Sequence, residues 1–275
     1  MTPIKAGIMG WPVDHSRSPA LHEFWLRTYG IAGSYVRLSV PPDRLGAALG
    51  ELHAKGFAGV NLTVPHKEAA LEFMTALTPA ARRIGAVNTV LLTADGKMLG
   101  TNTDAYGFIT NLTAEAPGWR AQQDPAVVLG AGGAARAVCC ALQEAGVPEI
   151  RLVNRTLARA EALAAALGTP VTPMPWDKVS DALRGAALLV NTTTLGMKGQ
   201  PPLEIDLSSL PTTAVVNDIV YAPLETPLLA AARARKNTVV DGLGMLLYQA
   251  QPAFTGWFGV RPEVTPALRA HVLAA

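Results

Sequence analysis

Hydrophobic and polar positions along the chain follow two alternating patterns. Short runs rich in β-branched residues recur between longer segments in which apolar residues return every three or four positions. The first pattern is typical of buried strands, and the second is typical of amphipathic helices. Their alternation over 275 residues predicts an α/β fold built on parallel sheets.

The first half of the chain contains both patterns. It predicts strands at 5–9, 35–40, 60–64, 87–92 and 98–102, and helices at 19–29, 44–54 and 68–77. Leu45, Leu49 and Leu52 form one apolar stripe on the second of these helices. The strand at 60–64 alternates apolar and polar residues, so Asn61 and Thr63 are expected to share its polar face. An Asp-Gly pair at 95–96 predicts a hairpin turn.

The stretch 114–125 interrupts this series. It is rich in proline, glycine and polar residues, which predicts a linker or an exposed loop. A second series follows, with strands at 126–129, 149–153, 188–191, 215–218 and 238–241, and helices at 134–145, 157–167, 245–258 and 266–273. We interpret the break as a boundary between two α/β domains.

A glycine-rich loop follows the first strand of the second series. The sequence from Gly130 to Ala135 reads Gly-Ala-Gly-Gly-Ala-Ala. The first glycine permits a tight turn, the second lets the backbone approach a pyrophosphate, and the small Ala135 allows close helix packing. A tight turn without a ligand is the alternative. The order of strand, loop, helix and second strand favours a dinucleotide site.

The end of the next strand indicates which dinucleotide is bound. An NAD site usually has an acidic residue about 20 positions after the loop, where it holds the ribose hydroxyls. This chain has Asn154, Arg155 and Thr156 there, then Arg159, and no acid. Two guanidinium groups can hold a 2′-phosphate bidentately. A solvated basic helix start is the alternative, but the helix dipole disfavours cations there unless an anion is bound. The sequence therefore predicts NADP.

Three polar clusters lie at strand or loop ends in the first half. They are Ser16 with Ser18, Thr63 with Lys67, and Asn88 with Asp104. Ordinary structural roles could explain several of them, because Ser18 and Asp104 could cap helices and Asn88 could satisfy loop backbone. Lys67 directly precedes the helix predicted at 68–77, where the helix dipole opposes a cation, so its ammonium is either solvated or tuned for proton transfer. Together the clusters offer the groups that a polyhydroxylated acid requires.

Composition and charge exclude several classes of function. Hydrophobic residues make up 49% and charged residues 16% of the chain, which excludes a disordered protein. The net charge of +2 is too small to give an electrostatic field that would attract the phosphate backbone of a nucleic acid. No apolar run reaches the roughly 18 residues of a membrane span. We also expect no signal peptide and no metal site. The adjacent Cys139 and Cys140 are expected to be core residues of a cytoplasmic protein.

Short motifs occur in a fixed order along the chain. They are His-Ser-Arg-Ser-Pro at 15–19, Asn-Leu-Thr-Val-Pro-His-Lys at 61–67, Gly-Ala-Val-Asn-Thr at 85–89, Asn-Thr-Asp at 102–104, the loop at 130–135, Asn-Arg-Thr at 154–156, and the stretches 191–197, 218–223 and 242–250. In this set the chain resembles the shikimate dehydrogenase family over essentially its whole length. The glycine loop is shared with many enzymes, whereas the serine pair, the Val-Pro-x-Lys segment and the closing Gly-Met…Gln-Ala segment are specific to this family.

The resemblance implies the reversible reduction of 3-dehydroshikimate to shikimate by hydride transfer from NADPH, a step of aromatic amino-acid biosynthesis. It implies that Lys67 and Asp104 are the catalytic pair. The implied substrate-binding residues are Ser16, Ser18, Thr63, Asn88, Tyr221 and Gln249. The implied cofactor-binding residues are Gly130, Ala131, Gly132, Gly133, Ala134, Asn154, Arg155, Thr156, Arg159, Ile219 and Gly242.

The resemblance also implies a division of the chain. Residues 1–104 would form the first part of a substrate-binding and catalytic domain, 105–241 a Rossmann-type NADP domain, and 242–275 helices that return to the first domain, with a cleft between the two. A monomer or homodimer is expected, with a small-molecule substrate and no nucleic-acid or membrane partner. Two alternatives stay open: a quinate/shikimate dehydrogenase of broader specificity, and a non-catalytic NADP-sensing module.

Overall fold

The computed structural model describes residues 3–275. Their contacts divide the chain into two compact units, each with its own six-stranded sheet. The first unit comprises the residues up to Thr103 together with Leu246–Ala275, and the second comprises Asp104–Met245. The predicted α/β class is confirmed.

The strands and helices of the described residues alternate along most of the chain. The strands are β1 (Ile4–Gly10), β2 (Gly33–Ser39), β3 (Phe57–Leu62), β4 (Ala76–Leu77), β5 (Thr89–Leu92), β6 (Met98–Thr101), β7 (Ala126–Leu129), β8 (Ile150–Asn154), β9 (Val171–Pro175), β10 (Leu188–Asn191), β11 (Val215–Asp218) and β12 (Thr238–Val240). The helices are α1 (Ser18–Thr28), α2 (Leu45–Gly50), α3 (His66–Ala69), α4 (Pro79–Ile84), α5 (Asp104–Glu115), α6 (Gly133–Glu144), α7 (Leu157–Leu167), α8 (Val179–Leu183), α9 (Pro227–Ala234), α10 (Leu243–Phe258) and α11 (Pro266–Ala274).

The sheet of the first unit is mixed. Its strand order is β2-β1-β3-β5-β6-β4. Strands β1, β2 and β3 are parallel, while β5 runs antiparallel to both β3 and β6. The predicted leucine stripe packs into the core beneath this sheet, because Leu45, Leu49 and Leu52 are all buried with Val60. The helix that carries the stripe ends earlier than expected, at Gly50.

The single helix expected at 68–77 is wrong. The segment begins as α3, continues as a 3-10 turn at Ala70–Phe73, and ends as strand β4. Met74 is extended, and the Thr75 backbone N–H donates to the Met98 carbonyl at 2.9 Å. Ala76 and Leu77 then pair in parallel with β6 as a further strand, β4. Hydrogen bonding to β6 therefore overrides the local helical pattern. That pattern reflects only neighbouring residues, so it could not indicate pairing with a distant strand.

The sheet of the second unit is entirely parallel. Its order is β12-β11-β10-β7-β8-β9, which is the doubly wound order of dinucleotide-binding domains. The chain begins in the middle at β7, builds outward through β8 and β9, and then crosses to β10. In such sheets, ligands bind at the carboxyl ends of the strands where the order reverses, here β7 and β10. Cys139 and Cys140 lie buried on α6 and form no disulfide, as predicted.

His22 is a titratable residue within the aromatic core of the first unit. Its ring is fully buried and stacks on Tyr35, with centroids 4.0 Å apart and an interplanar angle of 6°. The rings of Trp25, Phe254 and Trp257 lie within 6 Å of it. This burial lowers the pKa of His22 to about 3, and neither nitrogen of the buried ring has a hydrogen-bond partner within residues 3–275.

We expect the buried His22 to make the protein acid-labile. The folded state keeps this ring neutral, whereas the unfolded chain binds a proton below the ordinary pKa of 6.5. Stability from this residue is therefore fully present above pH 6.5 and is lost as the pH falls toward about 3, with a slope of about 1.4 kcal/mol per pH unit. His22→Phe keeps the stacked ring and removes the titration, so the free energy of unfolding should fall less steeply with acid.

Urea unfolding at several pH values between about 4 and 7 measures this slope. His15→Gln, which changes an exposed histidine, is the matched control and should leave the pH dependence unchanged. Equal slopes for the wild type and His22→Phe would show that the ring does not link folding to pH.

Candidate active site

Asn88 is the centre of a buried hydrogen-bond cluster in the first unit. Its Oδ1 accepts from the backbone N–H of Thr103 at 2.9 Å and from the Thr89 hydroxyl at 3.0 Å. Its Nδ2 donates to Thr103 Oγ1 at 2.9 Å and to Gln249 Oε1 at 3.3 Å. The structure therefore brings together Asn88 and Gln249, two of the residues expected to bind substrate, although they lie 161 positions apart in the chain.

A second layer of polar side chains supports this cluster. The Tyr35 hydroxyl donates to Asn61 Oδ1 at 2.7 Å, and Asn61 Nδ2 donates to the Asn88 carbonyl at 3.2 Å and to Thr89 Oγ1 at 2.9 Å. Burial raises the pKa of Tyr35, and a hydrogen bond with the Ser18 side chain lowers it in part. Sequence reasoning did not identify Tyr35 or Thr103 as part of the site. The polar position of Asn61 within its strand was the available signal.

The serine pair lies at the start of α1. Ser18 is buried, Ser16 is half-buried, and Ser16 Oγ accepts from the Ser18 backbone N–H at 3.3 Å. The residue at the N-cap of α1 is Arg17, and its own side chain forms no capping hydrogen bond. The alternative in which Ser18 serves as a helix cap is therefore wrong. Its hydroxyl faces the tyrosine of the second layer instead.

Lys67 lies on a short helix whose first two residues are hydrogen-bonded to neighbouring segments. The backbone carbonyl of Thr63, directly after β3, accepts from the His66 N–H at 2.9 Å, and the His66 ring is bonded to the Val40 carbonyl at 2.8 Å. The Lys67 carbonyl accepts from the Val87 N–H at 2.7 Å, which ties the helix to the segment leading into Asn88. Because α3 has only four residues, the helix-dipole reasoning applied to Lys67 carries little weight. Its fixed position beside the polar cluster is the stronger observation.

Asp104 opens the second unit. It is the first residue of α5, it is buried, and it directly follows Thr103 in the chain. The N–H of Thr103 is bonded to the Asn88 side chain, so the backbone that leads into Asp104 is fixed.

The glycine loop between β7 and α6 is shaped for a ligand. Gly130 has a φ of +107°, and a Cβ there would meet Thr192 Oγ1 at 2.8 Å, so only glycine fits. By contrast, a Cβ on Gly132 or Gly133 would meet no atom within 4 Å. The first turn of α6 contains no acidic side chain and its N-cap has no side-chain bond. The amino end of this helix therefore presents backbone N–H groups to open space, where they can donate hydrogen bonds to a pyrophosphate.

Two arginines, Arg155 and Arg159, follow the carboxyl end of β8. Asn154 Nδ2 donates to the Thr156 carbonyl at 2.8 Å and so shapes the turn into α7. Arg155, Thr156 and Arg159 are exposed around the first turn, which contains no acidic residue. Within residues 3–275, neither arginine side chain forms a hydrogen bond or an ion pair with the protein. The arrangement fits a bound phosphate group and leaves no carboxylate to repel it.

Two further segments lie at the carboxyl ends of β10 and β11. Thr192 Oγ1 donates to the Leu129 carbonyl at 2.6 Å, which joins the segment after β10 to the strand that precedes the glycine loop. A Cβ on Gly242 would collide with the Ile219 carbonyl, so these two expected cofactor contacts lie against each other. Tyr221 is half-buried in the segment after β11.

Comparison with known proteins decides the family. A family model described as the shikimate dehydrogenase substrate binding domain matches residues 8–90, and one described as shikimate / quinate 5-dehydrogenase matches residues 113–196. A protein of Rhodospirillum rubrum named shikimate dehydrogenase (NADP(+)) is 62% identical over 272 residues, covering 98% of this chain and 96% of the relative.

The chain belongs to the shikimate dehydrogenase family.

Solved structures of the family have the same fold. Shikimate 5-dehydrogenase from Thermus thermophilus, in complex with NADP(H) and shikimate, aligns with a TM-score of 0.87 and 41% identity over 98% of both chains. Quinate dehydrogenase from Corynebacterium glutamicum, in complex with NAD, aligns with a TM-score of 0.92 and 34% identity over 99% of both chains. These matches confirm the predicted family, fold class and oxidoreductase class, and the curated relatives are named for the predicted NADP.

Two features of other protein classes are not found in residues 3–275 of this family member. No group of three or more histidine, cysteine, aspartate or glutamate side chains is placed to hold a metal ion. None of its helices combines the length and the apolar character needed to cross a membrane.

Proposed function

We propose that the protein is an NADP-dependent shikimate dehydrogenase, which reduces 3-dehydroshikimate reversibly to shikimate. The observation that supports this proposal most directly is the 62% identity, over 98% of the chain, with a relative named for this activity. Asn154, Arg155 and Arg159 at the end of β8 provide the matching chemistry for a 2′-phosphate.

The substrate-binding set of this proposal consists of Ser16, Ser18, Thr63, Asn88, Tyr221 and Gln249. Hydroxyl and amide groups suit a substrate that carries one carboxylate and several hydroxyls. The Asn88 amide is held by three neighbouring side chains, so its orientation is fixed before substrate arrives. Such preorganisation lowers the entropy lost when the substrate binds.

Lys67 and Asp104 are proposed as the catalytic pair. Bound NADPH supplies a hydride to the carbonyl carbon of the substrate, and the carbonyl oxygen then needs a proton. Lys67 donates that proton as a general acid and takes it back in the reverse reaction. Asp104, a buried carboxylate, accepts hydrogen bonds from the ammonium and from the reacting hydroxyl, and so orients both.

The cofactor set divides into three parts. Gly130, Ala131, Gly132, Gly133 and Ala134 receive the pyrophosphate at the amino end of α6. Asn154, Arg155, Thr156 and Arg159 hold the adenosine 2′-phosphate. Ile219 and Gly242, which lie against each other, face the nicotinamide.

The proposed enzyme has two domains and is located in the cytoplasm. Residues 105–241 bind NADP, while 1–104 with 242–275 bind the small-molecule substrate in a monomer or homodimer. Cys139 and Cys140 are buried and form no disulfide, which suits a reducing compartment, so we place the enzyme in the cytoplasm.

A spectrophotometric assay tests this function. The absorbance of the reduced nicotinamide is followed with shikimate or quinate as the substrate, each with NADP or NAD. We expect kcat/KM to be highest for shikimate with NADP. A higher value for quinate would favour the second candidate, which the TM-score of 0.92 with a quinate dehydrogenase brings forward. Tight NADP binding without turnover in any combination would indicate a sensing module.

A further inference from the structure

Asp218 is a fully buried carboxylate in the second unit that the proposed function does not use. It is the last residue of β11 and its side chain accepts three hydrogen bonds. Oδ1 accepts from Asn191 Nδ2 at 2.9 Å and from the Val220 N–H at 3.0 Å, while Oδ2 accepts from the Thr226 hydroxyl at 2.7 Å. One buried carboxylate thus contacts three segments of chain that follow two neighbouring strands.

The first of these segments is held through Asn191. An ionised carboxylate can only accept hydrogen bonds, so the amide of Asn191 must turn its Nδ2 toward Asp218. Its Oδ1 then faces Thr193, where it accepts from the backbone N–H at 3.0 Å and from the hydroxyl at 2.7 Å. Asn191 Nδ2 also donates to the Leu195 carbonyl at 3.2 Å. Asp218 therefore determines which way this amide points, and the amide shapes the turn at 192–195.

The other two segments are held directly. The Val220 N–H bonds to Asp218 and the Ile219 N–H bonds to the Asn191 carbonyl at 3.1 Å, so the backbone that leads to Tyr221 is fixed from both strands. Thr226 donates its only hydroxyl proton to Asp218, which turns its lone pairs toward the Leu229 N–H and caps α9 at 3.3 Å.

The segments held by Asp218 lie at the edge of the sheet where a dinucleotide is expected to bind. They follow β10 and β11 at the carboxyl edge of the doubly wound sheet, where this class of fold binds its dinucleotide. Thr192 bonds to the strand before the glycine loop, and Ile219 packs against Gly242. The arginines proposed for the 2′-phosphate follow β8, on the other side of β7 in the sheet. Asp218 therefore belongs to the nicotinamide half of the proposed cofactor site.

We propose that Asp218 is a positioning residue for the nicotinamide half of the cofactor, acting through Asn191 on the turn at 192–195 and through Val220 on the segment at 219–221. This inference rests on the NADP-binding function proposed above. It assigns to Asp218 no contact with the cofactor or the substrate. Burial raises the pKa of this carboxyl to about 6, so it is mostly ionised near pH 7.5 and can accept all three bonds.

The test compares the binding of NADPH with that of adenosine 2′,5′-bisphosphate, which corresponds to the adenosine half of NADPH. Adenosine 2′,5′-bisphosphate carries the adenosine and the 2′-phosphate but no nicotinamide. In Asp218→Asn the acceptor at one oxygen becomes a donor, so the fixed orientation of Asn191 or of Thr226 is lost. We expect the Kd for NADPH to rise by about tenfold or more and kcat to fall, because a charge-assisted hydrogen bond contributes about that factor. The Kd for the bisphosphate should change by less than about twofold.

Two further variants separate positioning from stability. Thr193→Val removes the hydroxyl at the far end of the same chain of bonds and should also weaken NADPH selectively; it carries the test if Asp218→Asn does not fold. Thr226→Val removes the cap of α9 and should lower Tm without changing the ratio of the two Kd values.

The outcomes discriminate between the two proposals. A selective loss of NADPH affinity in Asp218→Asn or Thr193→Val supports the positioning role. An equal loss for both ligands in either variant, or unchanged affinities in both variants, overturns it. A wild-type protein that binds neither ligand would instead overturn the proposed NADP function.

Discussion

Replacing Lys67 with methionine is expected to lower kcat for shikimate oxidation by a factor of about 10² to 10⁴, which is the range that general acid–base catalysis contributes. Methionine keeps an unbranched side chain of similar length but has no proton to exchange. Because the loss concerns the transition state rather than substrate binding, the KM for shikimate should change by less than about threefold. Steady-state kinetics with saturating NADP measure both values.

Lys55→Met is a matched control for this prediction. Lys55 is an exposed lysine whose ammonium pairs with Glu51 at 2.6 Å, and it belongs to none of the proposed sites. We expect its kcat and KM to equal those of the wild type. A Lys67→Met variant with a raised KM and an intact kcat would assign Lys67 to substrate binding alone and would remove the proton-transfer role.

The backbone around Lys67 explains why a selective effect on kcat is expected. The Lys67 carbonyl is bonded to the Val87 N–H, and Asn88, the next residue, is fixed by Thr103 and Gln249. None of these bonds uses the Lys67 side chain, so they persist in the variant. The binding groups should therefore keep their positions when the ammonium is removed, and the Tm should stay close to that of the wild type.

The parts of the fold that sequence alone predicted are those whose signals are local. The run from β7 through α7 was predicted to within about one residue at each end. Here a buried strand, a glycine turn at Gly130 and an alanine-rich helix follow one another, and each is encoded by its own residues. The family motifs extended the prediction to residues such as Gln249, whose partners lie far away in the chain.

What the sequence could not indicate depends on contacts between distant segments. Tyr35, Asn61 and Thr103 acquire their roles only when β2, β3 and the residue before α5 meet around Asn88. Strand β4 forms only because the edge of β6 is available to it. Asp218 is similar, since an acidic residue at a strand end has no distinctive local pattern, and its importance follows from the three donors that the fold brings to it.

Replacing Arg155 with glutamine is expected to raise the KM for NADPH by about tenfold to a hundredfold, while the KM for NADH stays within about twofold of the wild type. A hydrogen bond between charged groups contributes about 1.5–3 kcal/mol, which corresponds to that range. Only NADPH carries the 2′-phosphate, so only its affinity should fall. Initial rates of 3-dehydroshikimate reduction with each coenzyme measure the two values.

Exposure makes this variant a clean test, because substitutions of exposed residues usually change stability by no more than about 0.5 kcal/mol. Arg155 is exposed and forms no hydrogen bond or ion pair within residues 3–275. Arg184→Gln, at an exposed arginine near Asp181, is the control and should leave both KM values unchanged. An unchanged KM for NADPH in Arg155→Gln would remove this residue from the phosphate site.

The neighbouring Asn154 explains why removing the arginine should weaken NADPH without creating a good NAD site. Its Nδ2 donates to the Thr156 carbonyl at 2.8 Å and holds the turn that presents Arg155. The aspartate that many NAD sites place at this strand end has no such donor, so Asn154→Asp would lose this bond as well as repel a phosphate. In an Arg155→Gln background, Asn154→Asp should therefore weaken NADPH further and improve NADH only slightly. Coenzyme preference at this site is thus set by the shape of the turn as well as by its charge.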